Sequence, residues 1–250
     1  MQTRSGKSCP RLRVSIHQDL QEMTAGERTV RLLPSGPWTF GKARFVAANS
    51  NEGWAHKPSK RLLDLAIAVP AVVFLAPLLA VVALLIRLDT PGPVLFRQKR
   101  LGYCGHPFKI FKFRTMVVQE DGETITQARP DDRRTTRVGR WLRAFSVDEL
   151  PQLINVVIGD MSLVGPRPHA TAHDLFYARL IPGYQLRQEI KPGMTGWAQI
   201  HGLRGATPTV DLMARRVDFD VWYANHASLR LDAQILLRTP LEVLRRRNAC

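Results

Sequence analysis

Cysteine is scarce in this chain and poorly placed for structural work. The three, Cys9, Cys104 and Cys250, are far apart and form neither a CxxC pair nor a Cys/His zinc spacing. A disulfide-stapled secreted fold and a zinc module are therefore set aside, and the expectation is three isolated thiols in a reducing compartment. Acid is short as well: 21 Asp+Glu stand against 36 Lys+Arg, a formal charge of +15. Such an excess suits an anionic partner, whether nucleic acid, an acidic lipid surface or a phosphorylated substrate. Also lacking are an internal repeat, a low-complexity tract and any helix-turn-helix, zinc-finger or RNA-binding signature. At 250 residues the chain holds one sizeable core and has little room for a second.

Residues 1–57 show no sustained hydrophobic periodicity, and Leu32 to Gly41 is full of turn formers. We expect a polar, disordered leader over 1–57, too long and polar to be the charged region of a signal peptide, ahead of a folded domain over 58–250. The composition then changes abruptly. Leu65 to Ile86 is a run of 22 residues without a charge, about 33 Å if helical and enough to cross a bilayer core. Pro70 and Pro77 lie inside it and argue against a straight helix. Lys57, Lys60 and Arg61 precede the run; Arg87, Arg97, Lys99 and Arg100 follow it. Positive residues beside a membrane segment stay cytoplasmic. A helix over 60–88 that bends at Pro77 and returns to the same face satisfies both clusters. A bent spanning helix and a buried soluble helix are the alternatives, the latter hard to accommodate in a small domain.

Beyond this run, Asp89 to Pro93 reads as a turn, Val94–Arg97 as a strand and Gly102 to Pro107 as a second turn. Phe108, Ile110, Phe111 and Phe113 are interleaved with Lys109, Lys112 and Arg114. That segment fits either a headgroup surface or a half-buried strand. Residues 119–132 read as a polar loop. Helical spacing resumes over Val138–Ala144, Val147–Ile158, 211–226 and 231–246.

Four stretches carry residues suited to chemistry. Arg133 to Arg143 holds five arginines and no acid, and Arg137, Arg140 and Arg143 share one broad face if helical. The face is either simply solvated or able to grip a diphosphate. Ser146-Val147-Asp148-Glu149-Leu150-Pro151 also reads two ways. Ser146 and Glu149 match a capping box, so helix initiation accounts for every residue. Alternatively, Asp148 is a carboxylate kept ionised among cations and able to attack phosphorus, while Glu149 holds Mg²⁺. Lastly, Gly159 to Pro168 sets Arg167 between two prolines, and Lys191 to Trp197 forms a second rigid turn. Each is a phosphate grip or plain loop architecture.

In series these segments resemble the bacterial sugar transferases, the polyprenyl-phosphate phosphoglycosyl transferases of the monotopic type. The matching pieces are Lys60 to Asp64 (KRLLD), Pro91 to Gly102 (PGPVLFRQKRLG), Phe108 to Met116 (FKIFKFRTM), Ser146 to Leu153 (SVDELPQL), Gly159 to Pro168 (GDMSLVGPRP) and Lys191 to Ile200 (KPGMTGWAQI). The resemblance runs over about residues 58–246. It implies an α+β, mostly helical fold in the bacterial inner membrane. A re-entrant membrane helix-hairpin would carry a small cytoplasmic catalytic unit with interfacial helices. Asp148 is implied as the nucleophile on the β-phosphorus of a UDP-sugar. UMP leaves, and the aspartyl-phosphosugar is passed to polyprenyl (undecaprenyl) phosphate, which initiates exopolysaccharide, O-antigen or capsule assembly. Glu149 is implied as the Mg²⁺ ligand and Lys112, Arg143 and Arg167 as phosphate contacts. Arg114, Arg140 and Arg204 join them as substrate-binding candidates. The implied partners are a UDP-sugar, polyprenyl phosphate and membrane lipids, and no nucleic acid.

The chain departs from the family in having Ala76-Pro77 where Ser-Pro is common, an additional Pro70, and a polar leader where some relatives carry several membrane helices. Gly202 to Gly205, Arg216 to Asp220 and Tyr223 resemble the subgroup that transfers glucose or galactose 1-phosphate. Two readings compete from other classes: a nucleic-acid-binding protein, prompted by the charge, and a non-catalytic membrane scaffold holding acidic lipids through Arg245, Arg246 and Arg247.

Overall fold

The structure, a computed structural model, describes residues 53–117, 132–205, 207 and 209–244. Most of the expected leader and of the expected 119–132 loop lies outside them. Its longest element is α1 (Pro58–Asp89), 32 residues and about 48 Å along its axis. Pro58 stands at the first helical position, where a missing N–H costs nothing. Pro70 and Pro77 lie within the helix without ending it. Lys60, Asp64, Ala68, Val82 and Ile86 are its buried residues and keep helical spacing, so one face meets the rest of the protein. At mid-helix Val73 and Phe74 are 70% and 84% exposed. Among the described residues this is the one helix long and apolar enough to cross a membrane.

Both ends of α1 are fastened to the polar body. At its start Lys60 sits 3.0 Å from Asp64 and 2.8 Å from Asp232, and Arg61 donates to the carbonyls of Val156 and Val157 at 2.5 and 2.8 Å. Trp54, in a short 3-10 turn over Trp54–His56, also donates to Asp232 at 2.8 Å. At its finish Arg114 donates to the carbonyls of Thr90 (2.6 Å), Pro91 (2.7 Å) and Ile86 (3.4 Å). The carbonyls of Thr90 and Pro91 follow the helix and lack intrahelical partners, while that of Ile86 also accepts from Thr90 N–H.

The strands β1 (Leu95–Leu101) and β2 (Pro107–Phe113) form an antiparallel hairpin in register Leu95↔Phe113 to Leu101↔Pro107. The basic, aromatic run is thus a strand, with Ile110 and Phe113 buried and Phe111 beneath the Arg97 guanidinium at 5.5 Å. Cys104, in the turn between the strands, is disulfide-bonded, against the expectation of isolated thiols. Next come α2 (Arg137–Ala144), capped by the Thr136 side chain on Gly139 N–H, and α3 (Gln152–Ile158). The two turn-rich motifs pair with each other: β3 (Ser162–Val164) lies parallel to β4 (Gly193–Thr195). A Cβ on Gly165 or Gly193 would strike the opposing backbone, so the contact needs glycine at both. The remaining helices are α4 (Thr171–Leu180), α5 (Trp197–Ile200), α6 (Val210–His226) and α7 (Leu229–Leu244). The main core joins Ala68 of α1 to Ile110, Val156, Met161, Leu163, Tyr223 and Ile235; each fully buried aliphatic here stabilises by about 1.5–3 kcal/mol. The architecture is α+β and mostly helical, with β2, α3 and β3 converging beside α1.

Candidate active site

The junction between α2 and α3 does not form the capping box that its sequence suggests. Ser146 adopts a left-handed conformation (φ 57°, ψ 23°) and caps nothing with its side chain. Val147–Glu149 is a single 3-10 turn, and α3 begins only after Pro151. The sharp reversal at Ser146 turns Glu149 away from the helix start and toward β2. There its Oε1 accepts from Lys112 Nζ at 2.9 Å, and Arg167 forks onto both oxygens, with NH1 3.0 Å from Oε2 and NH2 on Oε1. Two-point guanidinium contact gives direction as well as charge. Asp148 lies beside this knot and, among the described residues, its carboxylate accepts no hydrogen bond.

The two carboxylates are pushed in opposite directions. Burial and the neighbouring Glu149 raise Asp148 to about 6, against the pull of Lys112, Arg143 and Arg167. Burial also works against ionised Glu149, yet Arg167 and Lys112, each hydrogen-bonded to it, hold it well below the usual carboxylate range. Burial lowers Lys112, with Glu149 opposing the shift. Glu149 is therefore the fixed charge of the pair, and Asp148 is a half-buried, more basic carboxylate still ionised at neutral pH.

Of the other residues singled out by sequence, Arg143 is half-buried, lies 3.3 Å from Thr135 Oγ1 and acts electrostatically on Asp148. Arg204 donates to Ser146 Oγ, two residues from Asp148. Arg140 is exposed on α2. Arg114 is buried at the end of α1 on backbone carbonyls and is not among the groups gathered at Glu149. Arg216, Asp220 and Tyr223, grouped above with a sugar subgroup, are interior residues of α6. Tyr223 donates to Asp232 at 2.6 Å. Sequence reasoning passed over Ser146 as a backbone pivot, and passed over Arg187, which donates at 2.5 Å to the carbonyl of Arg167. An arginine three residues before the Ile190-Lys191-Pro192-Gly193 turn was the available signal.

Among the described residues no three acidic, histidine or cysteine side chains converge, so a divalent ion has no all-protein cage here. The donors do fit Mg²⁺ in its substrate-bridging form, where one or two carboxylates and the substrate's phosphates share the ion. Glu149 Oε2 carries one hydrogen bond and keeps a lone pair, and Asp148 keeps all of its own.

Two adjacent carboxylates among cations, on a polar body joined to a helix long and apolar enough to cross a membrane, suit a protein that handles anionic substrate beside a lipid surface. The profile of the family described as Bacterial sugar transferase matches residues 55–246, and the chain belongs to that family. It is 54% identical over 190 residues, 76% of this chain and 71% of the relative, to a UDP-glucose:undecaprenyl-phosphate glucose-1-phosphate transferase of Caulobacter vibrioides. A protein of the same description from Escherichia coli K12 is 49% identical over 72% of this chain, which spans only 39% of that longer relative. The exopolysaccharide production protein PSS of Rhizobium leguminosarum is 44% identical, with 75% of this chain and 96% of the relative aligned.

Proposed function

We propose that this chain transfers a hexose 1-phosphate from a UDP-sugar to polyprenyl phosphate, with Asp148 as the nucleophile. An Asp148 oxygen attacks the β-phosphorus; the bond from that phosphorus to the bridging oxygen breaks, and the oxygen leaves with UMP. The phosphosugar stays on the carboxylate. A phosphate oxygen of the lipid then attacks the same phosphorus, giving polyprenyl-diphosphate sugar and freeing Asp148. The observation that carries the reading is the split between the two acids: Glu149 is tied to Lys112 and Arg167, while Asp148 has no hydrogen bond to give up before it attacks. Phosphoryl transfer depends mainly on placement and charge neutralisation. Arg167, Lys112 and Arg143 supply both around Asp148. Glu149 and Asp148 are the side chains that would hold Mg²⁺, whose chemistry there is neutralisation of the diphosphate oxygens. The relatives described above favour glucose as the sugar; a relative from Aeromonas hydrophila, 39% identical, is an N-acetylgalactosaminephosphotransferase.

The proposed setting is the inner membrane, with α1 entering and leaving by the cytoplasmic face. Its support is the fastening of both helix ends to one polar body, together with exposed apolar residues at mid-helix.

Two experiments test these statements. Mass spectrometry of the chain mixed with UDP-glucose and no lipid acceptor should show a hexose-phosphate adduct, absent from Asp148→Asn. Lipid-dependent turnover through a ternary complex, with no adduct ever formed, would sink the covalent step. In a background without native cysteines, Ser59→Cys and Thr90→Cys should both react with a membrane-impermeant maleimide from the cytoplasmic side. Labelling from opposite sides would make α1 a span.

A further inference from the structure

We propose that Arg187 and Arg216, joined through His169, are positioning residues that hold the loops of Arg167 and Arg204 against the carboxylate turn. The proposal rests on the roles assigned to Asp148 and Glu149 above. Arg187 binds Asp220 Oδ2 through Nε (3.0 Å) and NH2 (2.8 Å) and, through the same NH2, reaches the carbonyl of Arg167 at 2.5 Å. Arg216 NH2 donates at 2.5 Å to the carbonyl of Gly205, the residue after Arg204. Arg167 forks onto Glu149, and Arg204 donates to Ser146, the left-handed pivot two residues before Asp148. Each interior guanidinium thus ends on the backbone of one loop, and each loop ends on the catalytic turn.

His169 links the two arms. Its Nδ1 is 2.7 Å from Tyr184 OH and 2.8 Å from Arg187 NH1, and its Nε2 is 3.3 Å from Arg216 NH1. Tyr184 donates its own proton to Asp174 at 2.6 Å, so its oxygen accepts from His169 Nδ1–H. That tautomer leaves Nε2 as the acceptor for Arg216, and Arg187 joins the hub by donating from NH1 to Tyr184 OH at 3.3 Å, since Nδ1–H cannot accept from it. All of these groups are buried, Arg187 to 3% and Arg216 to 4% exposure. Burying two guanidinium groups is a poor route to stability, since apolar packing serves as well. Apolar side chains cannot, however, fix the position of a carbonyl. None of the three residues hydrogen-bonds to Asp148 or Glu149, so their influence passes through Arg167 and Arg204.

The test uses the full chain in lipid nanodiscs with UDP-glucose and undecaprenyl phosphate. Arg187→Lys keeps a cation for Asp220, but a point charge cannot hold Asp220 and the Arg167 carbonyl together. We expect kcat to fall on the order of 10- to 100-fold while KM for UDP-glucose stays within about twofold. Combining Arg187→Lys with Arg167→Lys should cost little beyond Arg167→Lys alone, because one acts through the other. Additive losses, or an unchanged kcat in folded Arg187→Lys, overturn the proposal. Where thermal unfolding shows that Arg187→Lys does not fold, Arg216→Lys with Arg204→Lys makes the same cycle, with the same two outcomes. Wild-type chain that releases no UMP overturns the function and the proposal together; active wild type with additive variants overturns the positioning alone.

Discussion

Lys60 with its two carboxylates and Lys112 with its neighbouring pair are built from the same parts, yet they finish differently. Asp64 accepts from Lys60, Ser162 Oγ and Leu163 N–H at 3.0–3.1 Å, and Asp232 accepts from Lys60, Trp54 and Tyr223 at 2.6–2.8 Å. Both are at most 2% exposed. Lys60, Asp64 and Asp232 each have at least two polar partners there. At the other cluster Glu149 is satisfied, Asp148 is not, and Lys112, Arg143, Arg167 and Arg204 all act on the two acids. A saturated cluster fixes a helix end. A cluster with surplus cations and one idle carboxylate is suited to receive an anion and react with it.

The sharpest way to break this contrast is Asp148→Asn. Removing the proposed nucleophile should cut UMP release by about 10⁴-fold or more, while the thermal midpoint stays level or rises, because an isostere without charge relieves repulsion from Glu149. Residual turnover near wild type would mean that the idle carboxylate is idle in fact. Asp232→Ala makes the opposite prediction. It leaves Lys60 with Asp64 alone and takes the carboxylate acceptor from Tyr223 and Trp54, and should destabilise by roughly 3 kcal/mol in thermal or denaturant unfolding, the low end for breaking a buried pair. Its kcat per folded molecule should be unchanged, and a specific loss of kcat would erase the distinction between the clusters. Arg167→Lys comes next. It keeps the charge but loses the fork on Glu149, and should lower kcat about 100-fold with little change in stability, the scale of losing one aimed electrostatic contact.

What the sequence revealed of these clusters depended on distance along the chain. The apolar helix was legible because length and hydrophobicity are local, and its two basic flanks were visible for the same reason. Asp148, Glu149, Lys112 and Arg167 were visible as members of separate motifs; that three of them meet at Glu149 was not, since the meeting spans up to 37 residues. The capping box misled because Ser-x-x-Glu describes two conformations equally well, and only the positive φ of Ser146 separates them. Arg114 stood in a basic, aromatic run, the setting of a phosphate contact. Its actual partners are helix-end carbonyls 23 and 24 residues earlier. The parallel β3–β4 pair stayed hidden because three-residue strands rich in glycine and proline read as turns.

The smallest effect concerns the His169 hub, which is buried like the Lys60 cluster but reaches toward the carboxylate turn. Burial first, then Arg187, Arg216, Arg100 and Arg167, hold this histidine well below its usual range, although Asp174 lies 3.8 Å from its ring. In the unfolded chain it would titrate near 6.5. Below that pH the unfolded state binds a proton that the native state refuses, so stability is lost as pH falls. The slope from one such group is at most about 1.4 kcal/mol per pH unit. His169→Gln cannot titrate and should flatten the fall in unfolding midpoint between about pH 6.5 and 5 by a corresponding amount. Parallel curves for the two proteins would mean that His169 takes up its proton while folded. Two guanidinium groups at 2.8 and 3.3 Å from its ring would then have to tolerate an imidazolium between them, and the hub would have to open to solvent.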